Sequence, residues 1–251
     1  MRTLKSCVLL SIFFILTACG NKGPVRPLEV PLPGSVSAAE LRQQGDALLL
    51  GWQLPTRNLD GSPLQQPPVV DIYRMTFDPE NDCPECFDRS TLLASINPQL
   101  PKPALQVGPR YLLYDLQVQA GIGYQYKLVT RNLEGQLGKP VILRQTCRQA
   151  VPAPQQFRVT PQDRSALLQW QPPSLPDGDT LLGYQLYRRL DGGSSFYPIN
   201  PQPLQQLSFE DFSLNNGSRY YYRVRALVKR GTQQLEGLAT PELNVIPKAG
   251  I

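Results

Sequence analysis

The hydrophobic pattern along the chain is short-range and alternating. Gly123-Tyr124-Gln125-Tyr126-Lys127-Leu128-Val129-Thr130 places Tyr124, Tyr126, Leu128 and Thr130 on one side of an extended segment. Arg219-Tyr220-Tyr221-Tyr222-Arg223-Val224-Arg225-Ala226 does the same with Tyr220, Tyr222, Val224 and Ala226. The opposite positions carry Gln, Lys or Arg, which predicts strands packed on one face and wetted on the other. Two further apolar runs, Ala47–Pro55 and Ser165–Pro173, each hold one tryptophan (Trp52, Trp170) and stop at proline. Tyrosine-bearing strands follow them, at Val70–Arg74 and Gly183–Arg189. Pro- and Gly-rich stretches separate all these segments, the punctuation of an all-β chain.

These segments form two copies of one unit. Asp115 and Asp211, the tyrosine strands, and Gly135 and Gly231 all repeat at an offset of 96 residues. The expected core of the first copy is Leu48, Leu50, Trp52, Val70, Ile72, Tyr124, Tyr126, Leu128 and Val141. That of the second is Phe157, Val159, Leu168, Trp170, Leu186, Phe209, Tyr220, Tyr222, Val224 and Ala226. With a Trp on an early strand and Tyr-x-Tyr-x-Val-x-Ala on a late one, the chain resembles fibronectin type III domains. That resemblance implies two tandem immunoglobulin-like β-sandwiches, at 32–147 and 152–247, with a linker at 148–151. The proline-stiffened junction Val151-Pro152-Ala153-Pro154 predicts a limited range of interdomain angles.

The N-terminus breaks the pattern. Arg2 and Lys5 precede an apolar stretch from Cys7 to Leu16, shorter than a membrane span and shaped like a secretory signal. Leu16-Thr17-Ala18-Cys19 resembles a bacterial lipobox. By that resemblance residues 1–18 are a signal peptide, Cys19 is acylated, and 19–31 is a tether holding the chain to a lipid bilayer. Gly20 stands where an Asp would retain such a protein in the inner membrane, which implies the outer membrane, on its periplasmic side or at the cell surface. Cys19-Gly20-Asn21-Lys22-Gly23-Pro24 is similar over about six residues to the start of the very small LptM-type lipoproteins. This resemblance marks Lys22 as a candidate contact and suggests an accessory role in outer-membrane or lipopolysaccharide assembly.

Composition narrows the function. The 251 residues contain no histidine, 26 prolines and 18% charged residues, below the ~25% of an average domain. Without histidine there is no Ser-His-Asp triad, no Cys-His pair and no common zinc set. The net charge of +5 falls to about +3 without Arg2 and Lys5, and its carriers are scattered rather than striped. Nucleic acid is therefore not expected as a partner. Asp60-Gly61, Asp177-Gly178-Asp179 and Asp191-Gly192-Gly193 read as turns, not calcium loops. The expected function is non-enzymatic and cofactor-free, with an envelope protein or a surface polysaccharide as partner. A carbohydrate-binding reading would need Phe77, Phe87, Tyr114, Phe196 and Tyr197 exposed as a platform.

The copies differ in one place. Tyr73 to Asp115 spans 42 residues, whereas Tyr187 to Asp211 spans 24. The surplus falls in Phe77–Phe87 and Asn97–Pro109, and it makes Phe77 and Phe87 candidate partner contacts. It also carries Cys83 and Cys86. An extracytoplasmic address permits disulfides. The three remaining thiols allow a bridge from Cys83 or Cys86 to Cys147, favoured by closing the longer loop, or a Cys83–Cys86 bridge. Catalytic redox or zinc chemistry at Cys-Pro-Glu-Cys lacks a helix N-terminus or a fourth ligand.

Overall fold

A computed structural model describes residues 31–193 and 195–250. Residues 1–18, expected to be a signal peptide, and Cys19 and Lys22 lie outside the described residues. From Leu32 onward the chain forms one compact unit built around two hydrophobic cores.

The first core is enclosed by β1 (Ser37–Gln44), β2 (Ala47–Gln53), β3 (Val69–Phe77), β4 (Thr91–Ile96), β5 (Leu105–Val107), β6 (Arg110–Asp115), β7 (Gly123–Arg131) and β8 (Val141–Thr146). The second is enclosed by β9 (Gln155–Gln162), β10 (Ser165–Gln171), β11 (Asp179–Leu190), β12 (Tyr197–Pro198), β13 (Ser208–Asp211), β14 (Tyr220–Arg230), β15 (Gln233–Glu236) and β16 (Leu243–Val245). In the first sandwich, β1-β2-β6-β5 faces β4-β3-β7-β8. In the second, β13-β10-β9 faces β12-β11-β14, with β15 and β16 both paired to β14. The fold is thus all-β, two tandem fibronectin type III-like sandwiches. One sheet is shared: β15 of the second sandwich pairs in parallel with β1 of the first.

Each core is organised by the same side chains. Trp52 is fully buried and stacks on Tyr111 with ring centroids 5.8 Å apart. Trp170 meets Tyr184 edge-on at 5.3 Å. Every residue expected in the two cores packs there, with Val141, Phe157, Val159 and Phe209 only partly buried. The 96-residue offset has a polar meaning as well. Tyr126 and Tyr222 donate their hydroxyls to Asp115 and Asp211, both at 2.7 Å. Arg74 and Arg188 pair with the same carboxylates at 2.7 and 2.8 Å. A buried carboxylate is costly unless paired and hydrogen-bonded, and both conditions are met twice. Burial and the carboxylate push both tyrosine hydroxyls well above their ordinary pKa. Two residues earlier on each strand, Tyr124 and Tyr220 accept the backbone N–H of Gln119 (2.9 Å) and Asn215 (3.0 Å), fixing the preceding loop.

Two expectations need correction. The outward face of β7 is not wetted throughout: Gln125 and Val129 are buried. Arg144 of β8 donates to Gln125, and Glu85 of the insertion holds Arg144 at 2.6 Å, so the insertion lies over the outer face of β7 and β8. Asp88 fastens the same loop to Lys127 of β7. The bridge to Cys147 is also absent. Cys83 bonds Cys86, and Cys147 is a free thiol 3% exposed inside the first core. Loop entropy favoured the longer bridge, but the insertion covers the outside of the sheet while Cys147 faces its inside. No bridge crosses that layer.

Trp170→Ala should destabilise the fold by about 3–5 kcal/mol, and Tyr222→Phe by a smaller ~1.5–3 kcal/mol, the range for a hydrogen bond to a charged group. Urea titration checks both. The cysteine assignment also has a readout. Cys147, its thiol pKa pushed up by burial, should resist maleimide until the protein unfolds. The Cys83→Ser/Cys86→Ser variant should lose no more than about 2 kcal/mol, because the ring it opens is short. Labelling at Cys147 in the native state would contradict the assignment.

Candidate functional site

The junction between the sandwiches buries three polar side chains, Gln43, Gln44 and Glu236. Gln43 pairs with Leu235 and Gln44 with Glu236 across the two strands, and the Gly45 N–H continues the ladder to Glu236. Gly45 has φ +63°, and a Cβ there would press on Arg225 and Leu238 at 3.2 Å. Both the turn into β2 and the close approach of the second sandwich therefore require glycine.

Two side chains seal the contact. Gln43, 1% exposed, accepts the N–H of Arg148 at 2.8 Å and donates to its carbonyl at 2.7 Å, as a neighbouring strand would. Glu236, 4% exposed, accepts from Tyr187 at 2.5 Å and from Gln44 at 2.9 Å. Arg42 and Arg225 stand 3.7 and 3.8 Å from its oxygens. Burial and the carboxylate raise the Tyr187 hydroxyl pKa far above normal.

The connecting residues join in. Arg230 donates to the Gln149 carbonyl at 2.7 Å, Leu238 N–H to that of Val151 at 2.8 Å, and Val151 is itself part of the second core. Proline stiffness, the basis of the expected limited angle, is therefore the lesser restraint.

On the N-terminal side of this contact the two strands part. A cleft of about 490 Å³ opens between them. Leu41, Arg42 and Gln43 of β1 form one wall; Gln233, Gln234 and Glu236 of β15 form the other. Arg144 and Gln145 of β8 also reach it. The insertion touches this cleft's lining through Glu85 on Arg144.

The residues singled out from sequence sit elsewhere. Phe77 packs over Gly123, and Phe87 lies under the Arg89 guanidinium at 4.8 Å; neither lines the cleft. Of the other aromatics named for a sugar platform, Phe196 is held between Arg189 (5.3 Å) and Arg223 (4.4 Å). Tyr114 is 39% and Tyr197 50% exposed. Asp60, Asp177 and Asp191 lie at turns with glycine at positive φ, as expected. Asp179 instead forms a two-pronged pair with Arg230. Among the described residues no group of three or more Cys, Asp or Glu is placed to hold a metal.

Residues 152–240 match the family model of the fibronectin type III domain. That span is the second sandwich, and the first repeats its strand order and its Tyr–Asp–Arg centre. Among solved structures, the chicken CNTN1 FN1–FN3 domains are 15% identical with a TM-score of 0.36, over 89% of this chain and 70% of that one. A structure titled as that of a myokine is 17% identical with a TM-score of 0.32, over 39% of this chain and 99% of that one. The fibronectin type III match therefore describes the second sandwich, and the first is its structural repeat.

The double variant Gln43→Ala/Glu236→Ala strands both backbone groups of Arg148 and takes the shared carboxylate acceptor from Tyr187 and Gln44, which keep only their mutual 3.1 Å bond, at about 1–3 kcal/mol for each buried group stranded. Calorimetry should show the native fibronectin type III-like pair melting in one cooperative transition and the double variant in two. A single unshifted transition in the variant would show that these groups do not couple the sandwiches.

Proposed function

We propose that this chain is a lipoprotein, tethered by acylated Cys19 to the outer membrane, that presents its two sandwiches as one body to another envelope macromolecule. The supporting observation is a combination. A short basic-apolar leader ends in Leu16-Thr17-Ala18-Cys19, and the remainder folds into two modules fused through β1 and β15. Inter-module contacts ordinarily leave domains free to move. Here the chain closes the junction with buried hydrogen bonds, so a partner meets both modules in one arrangement. Pre-organisation of that kind lowers the ordering cost of binding. More than one acyl chain gives stable anchoring without a membrane-crossing helix.

Labelling cells with an alkyne analogue of palmitate tests the anchor. The full-length chain should carry the label and stay with membranes through alkaline carbonate. Cys19→Ser should lose the label and keep an unchanged melting temperature. Label retained by Cys19→Ser, or a native chain released by carbonate, would contradict the proposal.

A further inference from the structure

The cleft at the junction has a construction that bears on what it binds. β1 is laddered to β2 along one edge, but along its other edge it meets β15 only at Gln43 and Gln44. At Leu41 and Arg42 that edge has no ladder partner among the described residues. β15 mirrors it: laddered to β14 throughout, it leaves its other edge unpaired at Gln233 and Gln234. The strands are parallel, so their unpaired portions run side by side and diverge, like a fork.

β8 completes the site. Arg144 reaches Gln125 on the outer face of the sheet, while Leu143 beside it packs into the core. Gln145 shares the side of Leu143. Arg144 and Gln145 nevertheless line the same cleft, so β8 turns its edge toward it, and that edge has no ladder partner among the described residues. Three strand edges thus face one space. Unpaired edges offer rows of N–H and C=O groups, the template for adding a strand.

The side chains select the guest. The Gln43 amide is spent on Arg148, and the Gln233 carbonyl accepts from the Arg148 guanidinium, but the amides of Gln145 and Gln234 and the Gln233 amino group are at the cleft to donate or accept. Glu236 already accepts from Tyr187 and Gln44, and Arg42, 47% exposed in its side chain, lies 3.7 Å away with its other donors unclaimed among the described residues. Arg144 is tied to Glu85, an exposed pair of little strength that a better-placed carboxylate can replace. Among the described residues no aromatic ring lines the space for a sugar to stack on.

We propose that this fork is a docking site for an extended segment of a partner polypeptide bearing a carboxylate side chain, which adds as a short strand and pairs with Arg42. The inference rests on the binding-scaffold reading and specifies where that binding occurs.

Site-specific photocrosslinking tests it, using the full-length chain in its native membranes. The probe is p-benzoylphenylalanine in place of Gln234 or Gln145, with Leu133, 74% exposed and outside the cleft lining, as control. The cleft positions should give a protease-sensitive adduct that Leu133 does not. Its mapped partner peptide should contain Asp or Glu. Arg42→Gln should cut the adduct by about tenfold or more, as expected for losing a charge pair, in a chain that stays folded and membrane-retained, and Arg42→Lys should restore part of it. An adduct destroyed by glycosidase but not protease, or a yield indifferent to Arg42, overturns the proposal. Adducts only outside the cleft overturn this site and leave the binding scaffold standing. No adduct at any surface position of a membrane-retained chain overturns both.

Discussion

The parallel contact of β1 with β15 is small, two paired residues on each strand, yet the arrangement of everything beyond the two cores depends on it. Two parallel pairs would not by themselves hold two sandwiches together, since parallel pairing is weaker per residue than antiparallel. The side chains make the difference. Gln43 substitutes for a strand by satisfying both backbone groups of Arg148, and Glu236 is stable in a buried position because Tyr187, Gln44 and two guanidinium groups surround it. Losing Gln43 would strand both backbone groups of Arg148, and losing Glu236 would take a buried acceptor from Tyr187 and Gln44. The junction is therefore specified, with few alternative ways to close.

The same rule, that a buried carboxylate must be surrounded, also builds the modules. Asp115 and Asp211 each bind a tyrosine from one strand and an arginine from another, tying the two layers of each sandwich together at equivalent points. The first module tolerates the added Phe77–Phe87 loop because that centre is untouched by it, while the Asn97–Pro109 part joins the sheet as β5 beside β6 and places Ala104 in the core. The insertion docks on the outside, through Glu85 and Asp88, and converts a wetted strand face around Gln125 into a covered one. One scaffold thereby acquires a second surface feature at little cost to its core.

Much of this was legible in the sequence, and the exceptions have physical causes. Period-two alternation and the Trp and Tyr positions located the strands and their inward faces, because packing on one side of a sheet leaves a local pattern. The 96-residue offset exposed the duplication, and Asp115 and Asp211 stood out as landmarks before their tyrosine and arginine partners were known. The junction left no such trace. Gln43 and Glu236 are nearly two hundred residues apart, and glutamine on a strand looks like any solvent-facing residue. The cysteine pairing was misjudged because loop length carries no information about which face of a sheet a thiol occupies. Phe77 and Phe87 are candidate contacts only by their place in the insertion, and they pack against Gly123 and Arg89 instead.

The central claim is that β1 and β15 make one body of two modules. The most direct measurement is the distance distribution between nitroxides at exposed Leu133 and Leu190, one on each sandwich, by pulsed electron paramagnetic resonance. A single narrow distribution is expected, broadening when Gln43 and Glu236 are both replaced by alanine. A broad distribution in the native chain, as from two modules moving independently on a linker, would contradict the account.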